Sequence, residues 1–299
     1  MLETFIEKRF SIASLATINT ANTILQEYRA QGLVLTLRQL YYQFVARGLL
    51  PNKQTEYKRL GSIISDARLA GKIDWAMMED RTRHLRKLSE WDSPAEIVEA
   101  ISRQYREDLW ADQKWRPEVW IEKDALAGVI ERPCNALRVP YFACRGYSSQ
   151  SAQYEAGRRF RTYRSYGQTP IVFHFGDHDP SGIDMTRDND DRLKMFTRFG
   201  VEVKRLALTM AQVEQYDLPP NPAKEIDSRC ADYVANYGNV SWELDALEPT
   251  VIGTLIREAV GELIDPDKWA DALAVETENR DTLKAVSDRW EDVRDYIRS

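Results

Sequence analysis

The first third of the chain is a succession of amphipathic helical patterns. The spacing of apolar residues predicts helices over residues 5–30, 36–48 and 56–69. In the second helix, apolar side chains recur at i, i+3, i+4, i+7 and i+8, which is the period of a helix with one buried face. Alternation over residues 72–78 predicts a strand, and residues 80–83 would form its hairpin partner. Helices followed by a short hairpin predict a winged helix-turn-helix.

Strand and helix patterns alternate from residue 118 to residue 208. Short apolar strands are predicted at residues 119–121, 139–143, 171–175 and 201–208, with helical segments between them. This order predicts a Rossmann-like, mostly parallel sheet, because parallel strands need such crossovers. We therefore expect an α/β protein with four parts: a helical and winged-helix region (1–90), a linking helix (91–116), an α/β domain (117–215) and a mainly helical C-terminal region (216–299).

Composition excludes several classes of protein. Of the 299 residues, 43% are hydrophobic and 29% are charged, as in a folded globular chain and unlike a disordered or collagen-like one. No apolar run approaches the roughly 18 residues of a membrane span, and the charged N-terminus does not resemble a secretion signal. Cys134, Cys144 and Cys230 have no disulfide or metal-ligand spacing. We therefore expect a reduced, cytoplasmic protein without a membrane partner or a structural zinc.

Charge is distributed unevenly along the chain. The net charge is −6, but residues 36–88 carry 11 Lys and Arg against 5 Asp and Glu. Residues 243–299 carry 7 basic against 15 acidic side chains. Such segregation favours one basic working surface and an acidic, solvating end, although charge runs are more often plain solvent-facing surfaces. The candidate DNA contacts are Lys58, Arg59, Arg68 and Arg145.

Carboxylates follow two of the predicted strands. Glu122 comes directly after the first strand, and Asp177 and Asp179 come directly after the third. Ligands gather at the carboxyl ends of parallel strands, and three converging carboxylates repel one another unless a cation lies between them. Oxygen ligands select Mg²⁺, or alternatively Mn²⁺, over zinc. The other interpretation is local: Glu122 pairs with Lys123 or Arg145, and Asp179 only caps a helix. The joint arrangement favours the metal site.

Three blocks of sequence surround these acids. They are VWIEKDALAGVI, VPYFACRGYSSQSA and PIVFHFGDHDPSGIDM, in that order. Together they resemble the Toprim domain of topoisomerases, primases and related nucleases. The glutamate of that family matches Glu122, its mid-domain glycine matches Gly146, and its paired aspartates match Asp177 and Asp179. The resemblance implies Mg²⁺-dependent chemistry on phosphodiesters.

The DPSG continuation is most similar to that of the DNA-cleaving subunit of topoisomerase VI and its meiotic strand-break relatives. In that family a winged helix precedes the Toprim domain and carries an Arg-x-x-Tyr-Tyr segment, which TLRQLYYQF resembles here. The resemblance implies that Tyr42 is the nucleophile and that Arg38 assists it. It also implies a homodimer in which the tyrosine and the Toprim site of one cut come from different protomers. The sequence has no recognisable ATP-binding motif. Strand passage would therefore need a separate ATPase subunit, unless the protein is a stand-alone relative.

Helical periodicity gives an independent view of the two adjacent tyrosines. At about 100° per residue, Tyr41 lies within the apolar face, and Tyr42 points roughly 130° away from the centre of that face. We therefore expect Tyr41 in the core and Tyr42 free to meet DNA, with Arg38 one turn earlier on the same flank. The structural alternative is that Tyr42 packs against a neighbouring helix.

The sequence thus predicts a protein that binds duplex DNA and cleaves it by Mg²⁺-dependent tyrosine transesterification. Tyr42, Arg38 and Glu122 are the catalytic candidates, and Glu122, Asp177 and Asp179 are the metal ligands. Two alternatives stay open: a Toprim nuclease in which the metal activates water, and a non-catalytic DNA-binding protein. Weaker assignments are His178 as a phosphate donor, His174 as a core histidine, residues 158–164 as a phosphate-tracking surface and Glu243 as a structural or metal-peripheral residue.

Overall fold

The computed structural model describes residues 2–78, 88–222 and 230–299. Its N-terminal part contains three helices, α1 (Ile12–Ala30), α2 (Leu37–Ala46) and α3 (Gln54–Leu69). Helix α1 is shorter than the predicted helix over residues 5–30, because residues at the predicted start contact the end of α3 instead. The Phe5 N–H donates to the Leu69 carbonyl at 2.8 Å, so this segment caps the end of α3. Ser11 then caps the start of α1.

The strand predicted over residues 72–78 is absent from this described segment. Trp75–Met77 form a 3-10 turn instead, because the Asp74 carboxylate accepts from the Ala76 N–H at 2.9 Å and initiates it. The Trp75 ring is held against α3 by the Arg68 guanidinium, 4.2 Å from its centroid. The expected partner strand, residues 80–83, lies outside the described residues. Three helices are therefore present close to where the sequence predicts them, and the winged helix-turn-helix stays a prediction.

A four-stranded parallel sheet forms the centre of the rest of the chain. Its strands are β1 (Trp115–Ile121), β2 (Tyr141–Ala143), β3 (Thr169–Phe175) and β4 (Glu202–Ala207), in the spatial order β2–β1–β3–β4. Strands β1 and β3 pair along their full length, from Trp115 opposite Thr169 to Ile121 opposite Phe175. The predicted α/β architecture with a parallel sheet is confirmed.

Helices cover both faces of this sheet. The connections are α5 (Ala127–Ala136), α6 (Gln150–Ser165) and α7 (Pro180–Thr197). Trp120 and Val172 point to a core with α6 and α7, whereas Val119 and Phe173 point to the opposite core. Because side chains alternate along a strand, burial on both faces makes β1 and β3 read as continuous apolar runs.

The remaining elements pack around the sheet and the N-terminal helices. They are α4 (Pro94–Gln104), α8 (Met210–Gln215), β5 (Asn221–Pro222), α9 (Cys230–Tyr237), β6 (Val240–Ser241), α10 (Pro249–Gly261), α11 (Pro266–Asp288) and α12 (Trp290–Arg298). Helix α4 lies against α11, where the Ser287 hydroxyl donates to the Ala95 carbonyl at 2.9 Å. Among the described helices, none is both long and apolar enough to cross a membrane.

Candidate functional site

The three predicted acids, here called the acid edge (Glu122, Asp177 and Asp179), follow β1 and β3 where these strands end side by side. The Glu122 N–H donates to the Phe175 carbonyl at 2.8 Å and extends the strand pairing by one residue. The Glu122 carboxylate then accepts from the Asp177 N–H at 2.9 Å. Asp179 caps α7, since its carboxylate accepts from the Gly182 N–H at 2.6 Å. The three acids therefore lie at the same edge of the sheet, and Asp179 also forms the predicted helix cap.

Gly182 explains the sharp turn from the acid edge into α7. A Cβ built at this position would lie 2.2 Å from the Asp177 carbonyl oxygen. The first turn of α7 therefore rests directly on the backbone of the acid edge. A larger residue there would push Asp177 and Asp179 apart, which accounts for the glycine in the DPSG segment.

The acid edge concentrates negative charge in a poorly solvated place. Burial and the charge of Asp177 raise the pKa of Glu122 to about 7. Burial also raises the pKa of Asp177, although the Lys123 ammonium opposes this change. A raised pKa means that the ionised form of the carboxyl group is disfavoured in this place. A cation that approaches these groups favours the ionised form and so opposes the rise in pKa.

Arg205 holds the backbone of the acid edge from below. Its partly buried guanidinium donates to the carbonyl oxygens of Gly176 and Asp177 at 2.9 Å and 2.5 Å, and to that of Gly182 at 2.9 Å. One side chain thus fixes the loop that carries both aspartates and the first turn of α7. Sequence reasoning missed this residue, because an arginine on β4 carries no motif of its own.

A second group of charges, the acidic turn (Glu243 and the 3-10 turn Leu244–Ala246), faces the acid edge. The Lys123 ammonium lies 2.8 Å from Asp177, 3.0 Å from Glu243 and 2.7 Å from Asp245. The Leu244 N–H donates to the Asp177 carboxylate at 2.7 Å. Lys123 therefore pairs mainly with these three acids, and the sequence interpretation that paired it with Glu122 missed Asp245 entirely.

Helix α2 docks on the other side of the acidic turn. Arg38 forms an ion pair with Glu243, and its Nε lies 3.4 Å from the Asp245 carboxylate. The Glu243 carboxylate and the Asn221 side chain lie near the Tyr42 hydroxyl and shift its pKa in opposite directions, Glu243 upward and Asn221 downward. The structure thus brings Arg38 and Tyr42 to a turn that is itself bound to the acid edge.

The expectation that Tyr42 is free to meet DNA is wrong for this structure. Its side chain is buried, with 4% of its surface exposed. Its flank of α2 is polar, but the acidic turn and Asn221 lie against it. Burial and the Glu243 carboxylate raise the pKa of Tyr42, so the phenol is protonated. Tyr41 lies in the core as expected, where its hydroxyl accepts from the Lys53 N–H at 2.8 Å.

The oxygen atoms around the acid edge have the chemistry that Mg²⁺ requires, although they are not gathered around one point. Among residues 2–78, 88–222 and 230–299, no three His, Cys, Asp or Glu side chains form a group placed to hold a metal ion. Within those same ranges, the five carboxylates of the acid edge and the acidic turn face three cations, which are Lys123, Arg38 and Arg205. When all are ionised, two negative charges remain, and the buried Asp245 Oδ1 has no hydrogen-bond partner within the described part of the chain. An all-oxygen set with this residual charge fits a hard divalent cation.

The candidate DNA contacts lie in two places. Lys58 and Arg59 are exposed on α3, where Arg59 pairs with Glu56 at 2.6 Å. Arg68 is engaged by the Trp75 ring at the end of the same helix. Arg145, with 73% of its side chain exposed, follows β2 and lies 3.2 Å from Asp124. The N–H of the following residue, Gly146, donates to the Glu122 carbonyl. Of these four candidate DNA contacts, Arg145 is therefore the one whose neighbour in the chain contacts the acid edge.

The weaker candidates have mainly structural surroundings. His178 is buried and its ring nitrogen lies 2.8 Å from the Tyr233 hydroxyl, and burial lowers its pKa to about 4. His174 is a core histidine as expected, with its Nδ1 2.9 Å from the Thr186 hydroxyl. In the segment 158–164, Arg159 is paired with the buried Glu118 at 3.0 Å. A neutral, buried His178 is poorly suited to bind phosphate.

Comparisons with protein-family models, with curated proteins and with solved structures found no match to this chain.

Proposed function

We propose that the protein binds duplex DNA and breaks it by Mg²⁺-dependent tyrosine transesterification, in the manner of the DNA-cleaving subunit of topoisomerase VI. One observation supports this proposal above the others: Arg38 and Tyr42 contact the acidic turn, and Lys123 joins that turn to Asp177. The residues that the resemblance implies as nucleophile and as metal ligands are far apart in sequence. In the folded chain, one network of ion pairs joins both groups, which supports a role for them in the same reaction.

Glu122, Asp177 and Asp179 would hold Mg²⁺, and Mn²⁺ would fit the same oxygen donors. The bound cation would polarise the phosphodiester and stabilise the charge that develops there. Lys123 competes with it, since the ammonium already neutralises Asp177 at 2.8 Å. Arg205 would hold the backbone of this loop through the Gly176 and Asp177 carbonyl oxygens when Mg²⁺ is bound.

Tyr42 supplies the nucleophilic oxygen. In the reaction a bond forms between this oxygen and phosphorus, and the bond from phosphorus to the 3′-oxygen breaks. The phenolic proton leaves Tyr42, and a proton ends on the 3′-hydroxyl. Arg38, whose guanidinium lies 6.0 Å from the centre of the Tyr42 ring, favours the phenolate electrostatically. Because Glu243 covers the hydroxyl, binding of DNA must first displace this contact.

The burial of Tyr42 favours a second candidate function, a Toprim nuclease in which the metal activates water. In such an enzyme the acid edge acts alone, and the Tyr42 hydroxyl only stabilises the docking of α2 on the acidic turn. The two functions predict different 5′ ends: a phosphotyrosyl link in the first and a free 5′-phosphate in the second. The resemblance further implies a homodimer. Strand passage would need a separate ATPase subunit, whereas a stand-alone relative would act without one.

The test is whether denatured reaction products carry protein bound covalently to DNA. A labelled duplex is incubated with the protein and Mg²⁺, denatured in detergent and resolved by electrophoresis. Tyr42→Phe should abolish the adduct while DNA binding survives, and the adjacent Tyr41→Phe is the matched control that should retain it. Cutting by Tyr42→Phe with free 5′-phosphates would favour the nuclease. Binding without cutting at any Mg²⁺ concentration would identify a non-catalytic DNA-binding protein.

A further inference from the structure

We propose that a groove between α5, α10 and residues 31–33 binds a small organic phosphate, that is, a phosphate monoester carried by a compact apolar group. The groove encloses about 330 Å³, within the range of roughly 300–1,000 Å³ that small-molecule sites occupy. It lies where the segment after α1 meets the α/β part of the chain. None of its lining residues belongs to the acid edge or the acidic turn, so this site does not depend on the proposed DNA cleavage.

The floor of the groove is apolar. It is formed by Val129 and Pro133 of α5 and by Pro249 and Gly253 of α10, all of which are buried. Leu33, between α1 and α2, also lines the groove and is half-buried. Contact with this surface removes the apolar part of a ligand from water, which favours its binding.

Two guanidinium groups, those of Arg132 and Arg257, also line the groove, and both side chains are exposed to solvent. Arg132 donates to the Gln31 carbonyl at 2.9 Å, and Arg257 donates to the Thr254 hydroxyl at 2.9 Å. Among the residues that the structure describes, neither guanidinium forms an ion pair with a carboxylate, and no acidic residue lines the groove. Their partners are uncharged and therefore orient the guanidinium groups without neutralising them.

Two glycines leave room for these guanidinium groups. A Cβ at Gly32 would collide with the guanidinium of Arg132, which lies directly against this backbone. The three atoms nearest to a Cβ built at Gly253 belong to the guanidinium of Arg257, at 3.3 to 3.9 Å. Donors that are already oriented lose less conformational freedom when a ligand binds.

Gly253 also keeps the groove open. It lies in the interior of α10, where glycine stabilises a helix less than alanine does. Its backbone does not have a positive φ, so the helix itself does not require a glycine here. A larger side chain would extend into the groove beside Arg257. The space for a ligand therefore accounts for a residue that the helix alone does not favour.

The charge of the groove selects the kind of anion. A phosphate monoester carries between about −1.5 and −2 at pH 7, which matches two guanidinium groups. A carboxylate and a phosphodiester of DNA each carry a single negative charge and would leave one guanidinium unmatched. The apolar floor adds the requirement for a compact apolar group beside the phosphate. The geometry and the charge together therefore favour a small organic phosphate.

The experiment measures binding of phenyl phosphate to the full-length chain by isothermal titration calorimetry. Mg²⁺ is left out, so that no cation can hold phosphate at the acid edge. We expect a single site. Inorganic phosphate and phenol should each bind at least about tenfold more weakly, because each supplies only the anion or only the apolar group.

Arg132→Gln and Arg257→Gln should each weaken binding of phenyl phosphate about tenfold or more, because each removes a charged donor. Arg298→Gln makes the same change at the exposed end of α12 and is the matched control, which should bind like the wild type. Gly253→Leu should abolish binding by filling the groove, while circular dichroism confirms that the helices persist. If this variant does not fold, the two arginine variants still decide the outcome.

Several results would overturn the proposal. They are an absence of phenyl phosphate binding at millimolar concentration, and binding that neither arginine variant weakens. Benzoate that binds as tightly as phenyl phosphate would overturn the assignment to a phosphate. Displacement of phenyl phosphate by duplex DNA would show that the groove belongs to a DNA-binding surface and would overturn the assignment to a small molecule.

Discussion

Lys123 is the residue whose removal should reveal most about the site. Its ammonium lies within 3.0 Å of three carboxylates, and its side chain keeps only 18% of its surface exposed. Lys123→Met keeps the length and much of the volume of the side chain but removes the charge. Asp177 and Asp245 then lose their shortest ionic contact in a poorly solvated place.

The expected cost follows from the partners that remain. Breaking a buried ion pair by removing one partner costs about 3–5 kcal/mol, because the other charge stays buried. Here Arg38 still pairs with Glu243 and Asp245, and the Leu244 N–H still binds Asp177, so the loss should lie near the lower end of that range. We expect Lys123→Met to lower the free energy of unfolding by about 3 kcal/mol, or roughly 1 M in the urea midpoint for an m-value of about 3 kcal/mol/M.

The assay is urea unfolding followed by circular dichroism, with and without Mg²⁺. Lys58→Met is the matched control, since it makes the same change on the exposed face of α3 and should stay within about 0.5 kcal/mol of the wild type. Mg²⁺ should raise the midpoint of Lys123→Met more than that of the wild type, because the unpaired acids are then free for the cation. A midpoint of Lys123→Met equal to that of the wild type would refute the proposed role of this ion-pair network.

Three further predictions concern neighbouring parts of the molecule. Tyr41→Phe should cost about 1–2 kcal/mol in urea unfolding, because the Lys53 N–H loses its acceptor, and an unchanged midpoint would contradict this. Burial lowers the pKa of His174 to about 3, so neutral His174 stabilises the fold above pH 6.5 and this contribution is lost as the pH falls towards 3. The free energy of unfolding should fall by about 1.4 kcal/mol per pH unit in this range. His174→Gln should weaken this dependence of the free energy of unfolding on pH, and equal slopes for the variant and the wild type would argue against the prediction. Replacing Lys58 and Arg59 by Glu should weaken binding to all DNA sequences and reduce the salt slope by roughly 0.9 for each phosphate that is no longer neutralised, whereas an unaltered slope would exclude this surface.

Most of the local structure follows from the sequence because it depends on neighbours along the chain. The period of apolar residues places α2 and α3 within two residues of their observed ends, and Thr36 and Gln39 form the capping box that starts α2. The sequence also predicts where Glu122 and Asp177 meet, because each of them follows one of the apolar runs that form β1 and β3. The N-terminal segment is an instructive exception: its amides bind α3, a distant element, and the helical period there does not show this.

By itself, the sequence determined the parallel sheet, the crossover helices and the place of Glu122, Asp177 and Asp179 at its carboxyl edge. Only the tertiary structure decided what surrounds Tyr42. Helical phase reports which flank of α2 is apolar, but it cannot report what covers the polar flank. That cover is Glu243, 205 positions beyond Arg38 in the chain, and it buries the tyrosine through ionic and hydrogen-bonded contacts. A polar face can be buried as completely as an apolar one when a distant segment supplies the opposite charge, and no local pattern records that segment.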